Sequence, residues 1–211
     1  MQEIYGSYAY IYYQLDGTTG EPIHKPSHVV DEVFHRWQSY FYPIPADFNV
    51  DGKDEFLLAS SSFAMGGLTV VTQDFKILWE IPLPNTVGAN GLQGIGDWDG
   101  DGIPEIAFFH LDGRIAIYDG KTGDVQWQME GLTSGGGHLT SGDIDSDGRD
   151  EFLYSLGTNE IMAFDNDTPD HILWRTKLTS TPDTPVIADI DNDGLAEIIV
   201  GTSDGYLNVL K

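Results

Sequence analysis

Short apolar runs recur along this chain, each followed by a turn and a second run. Phe56-Leu57-Leu58, Ile106-Ala107-Phe108-Phe109 and Ile198-Ile199-Val200 are continuous rather than alternating, the pattern of strands buried on both faces. A second strand follows each at 68–71, 114–118, 160–164 and 206–210. A further strand then carries a tryptophan, at Trp79, Trp127 and Trp174, spaced 48 and 47 residues apart. Another strand, such as 185–188, enters each unit from the front, which makes four strands per unit. No helical periodicity interrupts the pattern. A four-stranded unit recurring every 46 to 50 residues predicts an all-β chain of β-propeller blades with antiparallel strands, about four to five of them, either alone or within a larger propeller.

Between the entering strand and the apolar run lies a nine-residue polar pattern, present four times. It reads Asp47-x-Asn49-x-Asp51-Gly52-Lys53-x-Glu55, Asp97-x-Asp99-x-Asp101-Gly102-Ile103-x-Glu105, Asp143-x-Asp145-x-Asp147-Gly148-Arg149-x-Glu151 and Asp189-x-Asp191-x-Asp193-Gly194-Leu195-x-Glu197. Side-chain oxygens at positions 1, 3, 5 and 9 and the carbonyl at position 7 can converge if the chain turns sharply at the glycine. Hard oxygen donors with no His or Cys select a hard cation, and a flexible loop of many ligands suits Ca2+ better than Mg2+. About four calcium ions are therefore expected. An EF-hand would need Glu at position 12 and flanking helices, but position 12 is Leu58, Phe108, Tyr154 and Val200, all within predicted strands. Acidic surface turns without metal would leave several like charges crowded into each loop, four times over.

These four loops, each followed by a strand of the Glu-Ile-Ile-Val or Glu-Phe-Leu-Leu type, resemble the calcium-binding FG-GAP and VCBS repeats of integrin α-subunit propellers and bacterial surface proteins. The resemblance covers residues 45–211. It implies calcium ligation at positions 1, 3, 5, 7 and 9 and an extracellular, cell-surface or periplasmic location. Glu at position 9 departs from the Asp that integrins favour. Asn49 stands where the other loops have Asp, so the first site is expected to be the weakest.

Composition narrows the partners. The net charge is -24, and fifteen of the 34 acidic residues sit at ligand positions of the loops. The ten Lys and Arg are scattered singly, which argues against nucleic acid and anionic membrane surfaces, and no stretch is long and apolar enough to insert in a membrane. There is no Cys, hence no disulfide and no thiol nucleophile. Residues 1–30 read as the back half of a preceding blade, with Asp16-Gly17-Thr-Thr-Gly20-Glu21 paralleling Asp119-Gly120-Lys-Thr-Gly123-Asp124. Residues 31–211 then form four blades, the last ending at its third strand. Unpaired edges at both ends predict self-association or the remainder of a longer chain.

Two motifs suggest chemistry. Gly201-Thr-Ser203-Asp-Gly205 matches the hydrolase elbow, but Asp204-Gly205 reads as a hairpin turn between two strands. Ser134-Gly-Gly-Gly-His138 places a lone His beside flexible backbone without a visible partner for catalysis. The 26–45 segment is unusually long and aromatic, the composition of a recognition surface or of an edge cover. Since all calcium loops should emerge on one face, Trp37, Tyr40 and His138 are expected on the other as contacts for a ligand. The expected function is a calcium-stabilised module binding an extracellular protein or glycan. The alternative is part of a calcium-dependent polysaccharide lyase, since rhamnogalacturonan lyases also resemble propellers built on such loops.

Overall fold

A computed structural model describes residues 15–22, 43–60, 66–74, 76–83, 89–133 and 139–211. The first sheet comprises β1 (Ile44–Ala46), β2 (Glu55–Ser60), β3 (Gly66–Val71) and β4 (Ile77–Leu83), hydrogen-bonded in that order. The second comprises β5 (Ala89–Gly96), β6 (Glu105–His110), β7 (Ile115–Tyr118) and β8 (Val125–Met129). The third holds β9 (Thr140–Gly142), β10 (Glu151–Leu156), β11 (Glu160–Phe164) and β12 (Ile172–Lys177). The fourth holds β13 (Val186–Ala188), β14 (Glu197–Gly201) and β15 (Leu207–Leu210), and is one strand shorter, as expected. All pairings are antiparallel.

The second strand of each sheet explains the continuous apolar runs. Its side chains alternate between faces, and in the second and third sheets, where every residue of that strand is buried, both faces are covered. Leu57, Leu68 and Val70 pack on Ile106, Phe108 and Tyr118 of the next sheet. Ala107, Phe109 and Ile117 pack on Phe152, Tyr154 and Phe164. Leu153, Ile161 and Ala163 pack on Ile198 and Val200. The sheets therefore stack in chain order, with the second and third packed on both sides. A register shift recurs between the third and fourth strands of the first three sheets, at Val70/Val71, Ile117/Tyr118 and Ala163/Phe164.

The tryptophans of the fourth strands lie at the joints between sheets. Trp79 donates from Nε1 to the carbonyl of Gly120 in the next sheet's turn at 2.8 Å. Trp127 lies 5.6 Å from the Phe164 ring and 5.5 Å from that of His171. Trp174 lines a cleft of about 410 Å³ together with Ile144, Thr176, Ala196 and Ile198.

Turns behave as the sequence suggested. In the Gly-x-Ser-x-Gly segment, Gly205 donates to the Thr202 carbonyl at 2.9 Å with φ 87°, a hairpin turn rather than a nucleophile elbow. The 16–21 and 119–124 turns share one hydrogen-bond pattern. Asp16 N–H bonds Glu21 O at 2.9 Å and its carboxylate takes Thr18 and Thr19 N–H at 2.8 Å; Asp119 repeats each contact at 2.9, 3.0 and 2.7 Å. Trp37, Tyr40 and His138, expected as ligand contacts, and residues 1–14 and 23–30 of the expected preceding blade lie outside the described residues.

Candidate metal centres

Each Asp-rich loop joins the first strand of a sheet to the second, so all four leave the same end of the sheets. The loop is built by its own carboxylates. Position 1 accepts twice: Asp97 takes Gly100 N–H at 2.9 Å and Gly102 N–H at 3.0 Å, and Asp143 takes Asp147 and Gly148 N–H, both at 3.1 Å. Position 5 takes the N–H of position 7, at 3.0 Å in Asp51, 2.8 Å in Asp101 and Asp147, and 2.9 Å in Asp193. The position-6 glycines Gly52, Gly102, Gly148 and Gly194 all have left-handed φ, between 84° and 93°. Position 4 is left-handed too, as Val50, Gly100, Ser146 and Asn192. That second constraint was visible only as the Gly and Asn in two of the four copies.

The position-9 glutamate is split between two tasks. One oxygen accepts the N–H of position 2, at 2.9 Å from Trp98 to Glu105, 2.8 Å from Ile144 to Glu151 and 3.0 Å from Ile190 to Glu197. The other faces the loop. Glu105 Oε1, Glu55 Oε2 and the Asn49 Oδ1 are buried without a hydrogen-bond partner. A buried anionic oxygen with no donor is costly unless a cation completes it. Burial pushes the Glu105 and Glu151 carboxyls up to about 8, helped by the carboxylates of Asp99 and Asp101 for Glu105 and of Asp145 and Asp147 for Glu151. Burial, then Asp51, raises Glu55.

Three loops bring three carboxylates into range of one ion. Asp97, Asp99 and Asp101 have oxygens within 4.8 Å of one another, as do Asp143, Asp145 and Glu151, and Asp189, Asp191 and Glu197. In the first loop, position 3 is the neutral Asn49, so Asp47, Asp51 and Glu55 supply the charge. The fourth loop already gathers a cation: Lys211 Nζ lies 2.7 Å from Asp191, 2.6 Å from Asp193 and 3.4 Å from Glu197. An ammonium stands there for what a metal ion would supply. The donor set, all oxygen and mostly anionic, fits a hard divalent cation. The position-7 residues Lys53, Ile103, Arg149 and Leu195 follow the left-handed glycine in each loop.

The second and third loops also touch. Asp150 N–H donates to the Asp97 carbonyl at 2.9 Å, and the Asp150 carboxylate accepts the Asp97 N–H at 3.0 Å. Position 2 anchors the loops to the core: Phe48 and Trp98 are fully buried, and Trp98 stacks 5.6 Å from Phe152. Neither Asp150 nor Lys211 stands at a ligand position of the motif, so spacing alone gave no reason to single them out.

The FG-GAP-like repeat family matches residues 97–154, which run from the second loop through the third. A search of the curated proteins finds no match. Among solved structures the chain is similar to the Dos1 propeller, with 15% identity and a TM-score of 0.63 over 93% of this chain and 50% of that one. The fold is a β-propeller. Sqt1 of Saccharomyces cerevisiae gives 14% and 0.63 over 91% and 50%, and BamB of Moraxella catarrhalis 14% and 0.58 over 93% and 51%. The propeller described here thus spans about half the length of each of these relatives.

Proposed function

We propose that this propeller is a calcium-stabilised binding module for an extracellular protein or glycan, working outside the cell, at its surface or in the periplasm. The observation that supports it best is the buried, partnerless oxygen on Glu105, set behind a loop whose Asp97, Asp99 and Asp101 converge, with a like oxygen on Glu55 in the first loop. Asp or Asn at positions 1, 3 and 5 and Glu at position 9 would hold the ion, with the position-7 carbonyl. Bound there, calcium supplies the positive charge that lets like-charged side chains share a buried loop end.

The FG-GAP-like match on a propeller frame supports interaction rather than chemistry as the task. With carboxylates committed at one end of the sheets, the partner is assigned to the other end, where the second and third strands are joined and successive sheets connect. Trp37, Tyr40 and His138 are the residues proposed for contact. A glycan and protein binding screen with and without Ca2+ tests the reading. Binding should require Ca2+, and alanine at those three positions should abolish it while leaving the calcium-bound melting temperature unchanged. Equal binding in EDTA, or a rise in ultraviolet absorbance on incubation with pectic polysaccharide, would replace this reading, the second with a lyase.

A further inference from the structure

Position 8 of the loop is Asp54, Pro104, Asp150 and Ala196 in the four copies, and the ligand pattern asks nothing of it. In the third copy this residue reaches out of its own loop and into the second. Asp150 N–H donates to the Asp97 carbonyl at 2.9 Å, and the Asp150 carboxylate accepts the Asp97 N–H at 3.0 Å, so both backbone groups of Asp97 are held by one residue. Gly96 makes the room for it: a Cβ there would lie 2.6 Å from the same carboxylate oxygen, and Gly96 is not left-handed, so space rather than backbone conformation accounts for the glycine. The first and fourth copies carry Ala46 and Ala188 at that position. Arg149 adds a further contact, since a Cβ at Gly100 would lie 3.1 Å from its Nε.

Neither of the other neighbouring pairs among these four loops can make this two-bond joint. Pro104 has no N–H and no carboxylate to offer Asp47, and Ala196 has no carboxylate to offer Asp143. The joint also falls on the residues that would hold the ions. Asp97 is position 1 of the second loop, and its carboxylate accepts the Gly100 and Gly102 N–H groups that shape that loop. Asp150 stands between Arg149 at position 7 of the third loop, whose carbonyl is a ligand, and Glu151 at position 9. A backbone shift in either loop therefore moves a ligand of the other.

We propose that Asp150 is a positioning residue that couples the second and third metal sites, so that filling one raises the calcium affinity of the other. This rests on the calcium reading of the loops. Each loop has to gather several like-charged oxygens, and Asp150 makes the ordering common to both by fixing the backbone of Asp97 to its own. The loop ordered first leaves less to be ordered in the second. Such an effect is reciprocal between the two sites, and its size is about five-fold or more in affinity. The first and fourth loops, without the joint, bind on their own.

Tb3+ luminescence excited through tryptophan reads the second site, because Trp98 lies between Asp97 and Asp99 while the other loops have Phe48, Ile144 and Ile190 there. Displacement of Tb3+ by Ca2+ then gives the affinity of that site. Asp145→Ala empties the third loop at an exposed side chain, and should weaken the second site about five-fold or more. With Asp150→Ala the same change should leave the second site where it was. With Asp150→Asn, whose amide oxygen can still accept from Asp97, it should weaken that site again. If Asp150→Ala lowers folding itself, Gly96→Ala crowds the carboxylate out of place and should uncouple the sites equally. Asp51→Ala empties the first loop, and its effect should stop there. A second site that ignores Asp145→Ala, or that answers it as strongly with Asp150→Ala and with Gly96→Ala, overturns the proposal. Tb3+ and Ca2+ that bind nowhere overturn the calcium reading and this inference with it.

Discussion

Calcium and protons should compete for the same oxygens, and stability should show it as a reversal of pH dependence. In the ion-free protein the Glu105 and Glu151 carboxyls are raised from an ordinary 4.5 to about 8, because burial and neighbouring aspartates disfavour the charged form. The folded state then holds protons that the unfolded chain has released. That contribution is fully present below about pH 4.5 and is lost as pH rises through about 8. In EDTA, therefore, the melting temperature should fall between pH 6 and pH 8. In saturating Ca2+ the ion needs the ionised carboxylates, so its affinity and the stability it adds should rise over the same window. Each ion at about 100 times its Kd adds roughly 2.7 kcal/mol, or about 8 kcal/mol for the three loops with converging carboxylates. A domain's whole stability is about 5–15 kcal/mol, so chelation at pH 8 should bring this one near the margin. One ion should shift the melting temperature by roughly 5–11 °C in a chain of this size. Differential scanning calorimetry at several pH values, with EDTA or with Ca2+, reads both effects. Superimposable curves in EDTA and Ca2+ at pH 8, or an EDTA melting temperature that climbs from pH 6 to pH 8, would refute the reasoning.

Calorimetric titration of Asn49→Asp should show the first site tightened, and Asp145→Asn the third weakened; no change in either would remove position 3 from the ligand set. Val50 is β-branched at φ 58°, so Val50→Asn should raise stability by about 1 kcal/mol in denaturant melts without altering calcium affinity at the other loops. Trp79→Phe keeps an aromatic ring but leaves the Gly120 carbonyl without its donor, and should cost roughly 1–3 kcal/mol in the same melts. Phe108→Ala, at a side chain fully buried between the first two sheets, should cost about 3–5 kcal/mol.

Much of this molecule could be read from its sequence because each repeat says the same thing four times. A run such as Ile106 to Phe109 is ambiguous alone, but its place after a loop of fixed length makes it the second strand of a sheet covered on both sides. The apolar run, the loop and the tryptophan are period-locked, so an error in one would have put the others out of register. Position 4 of the loop was harder, since left-handed backbone there is met by Val50 and Ser146 as well as by Gly100 and Asn192. The loop tolerates that strain because the position-1 carboxylate binds two of the N–H groups around it. A local rule about glycine therefore fails where side-chain hydrogen bonds impose the turn.

What no local rule could supply is the pairing between repeats. Asp150 reaches the backbone of Asp97 across 53 residues, and a Cβ at Gly120 would meet not only the Pro104 carbonyl of its own sheet's loop at 2.0 Å but also Phe48, 72 positions earlier, at 2.6 Å. These contacts depend on how one sheet leans on the next, and only the assembled stack defines them.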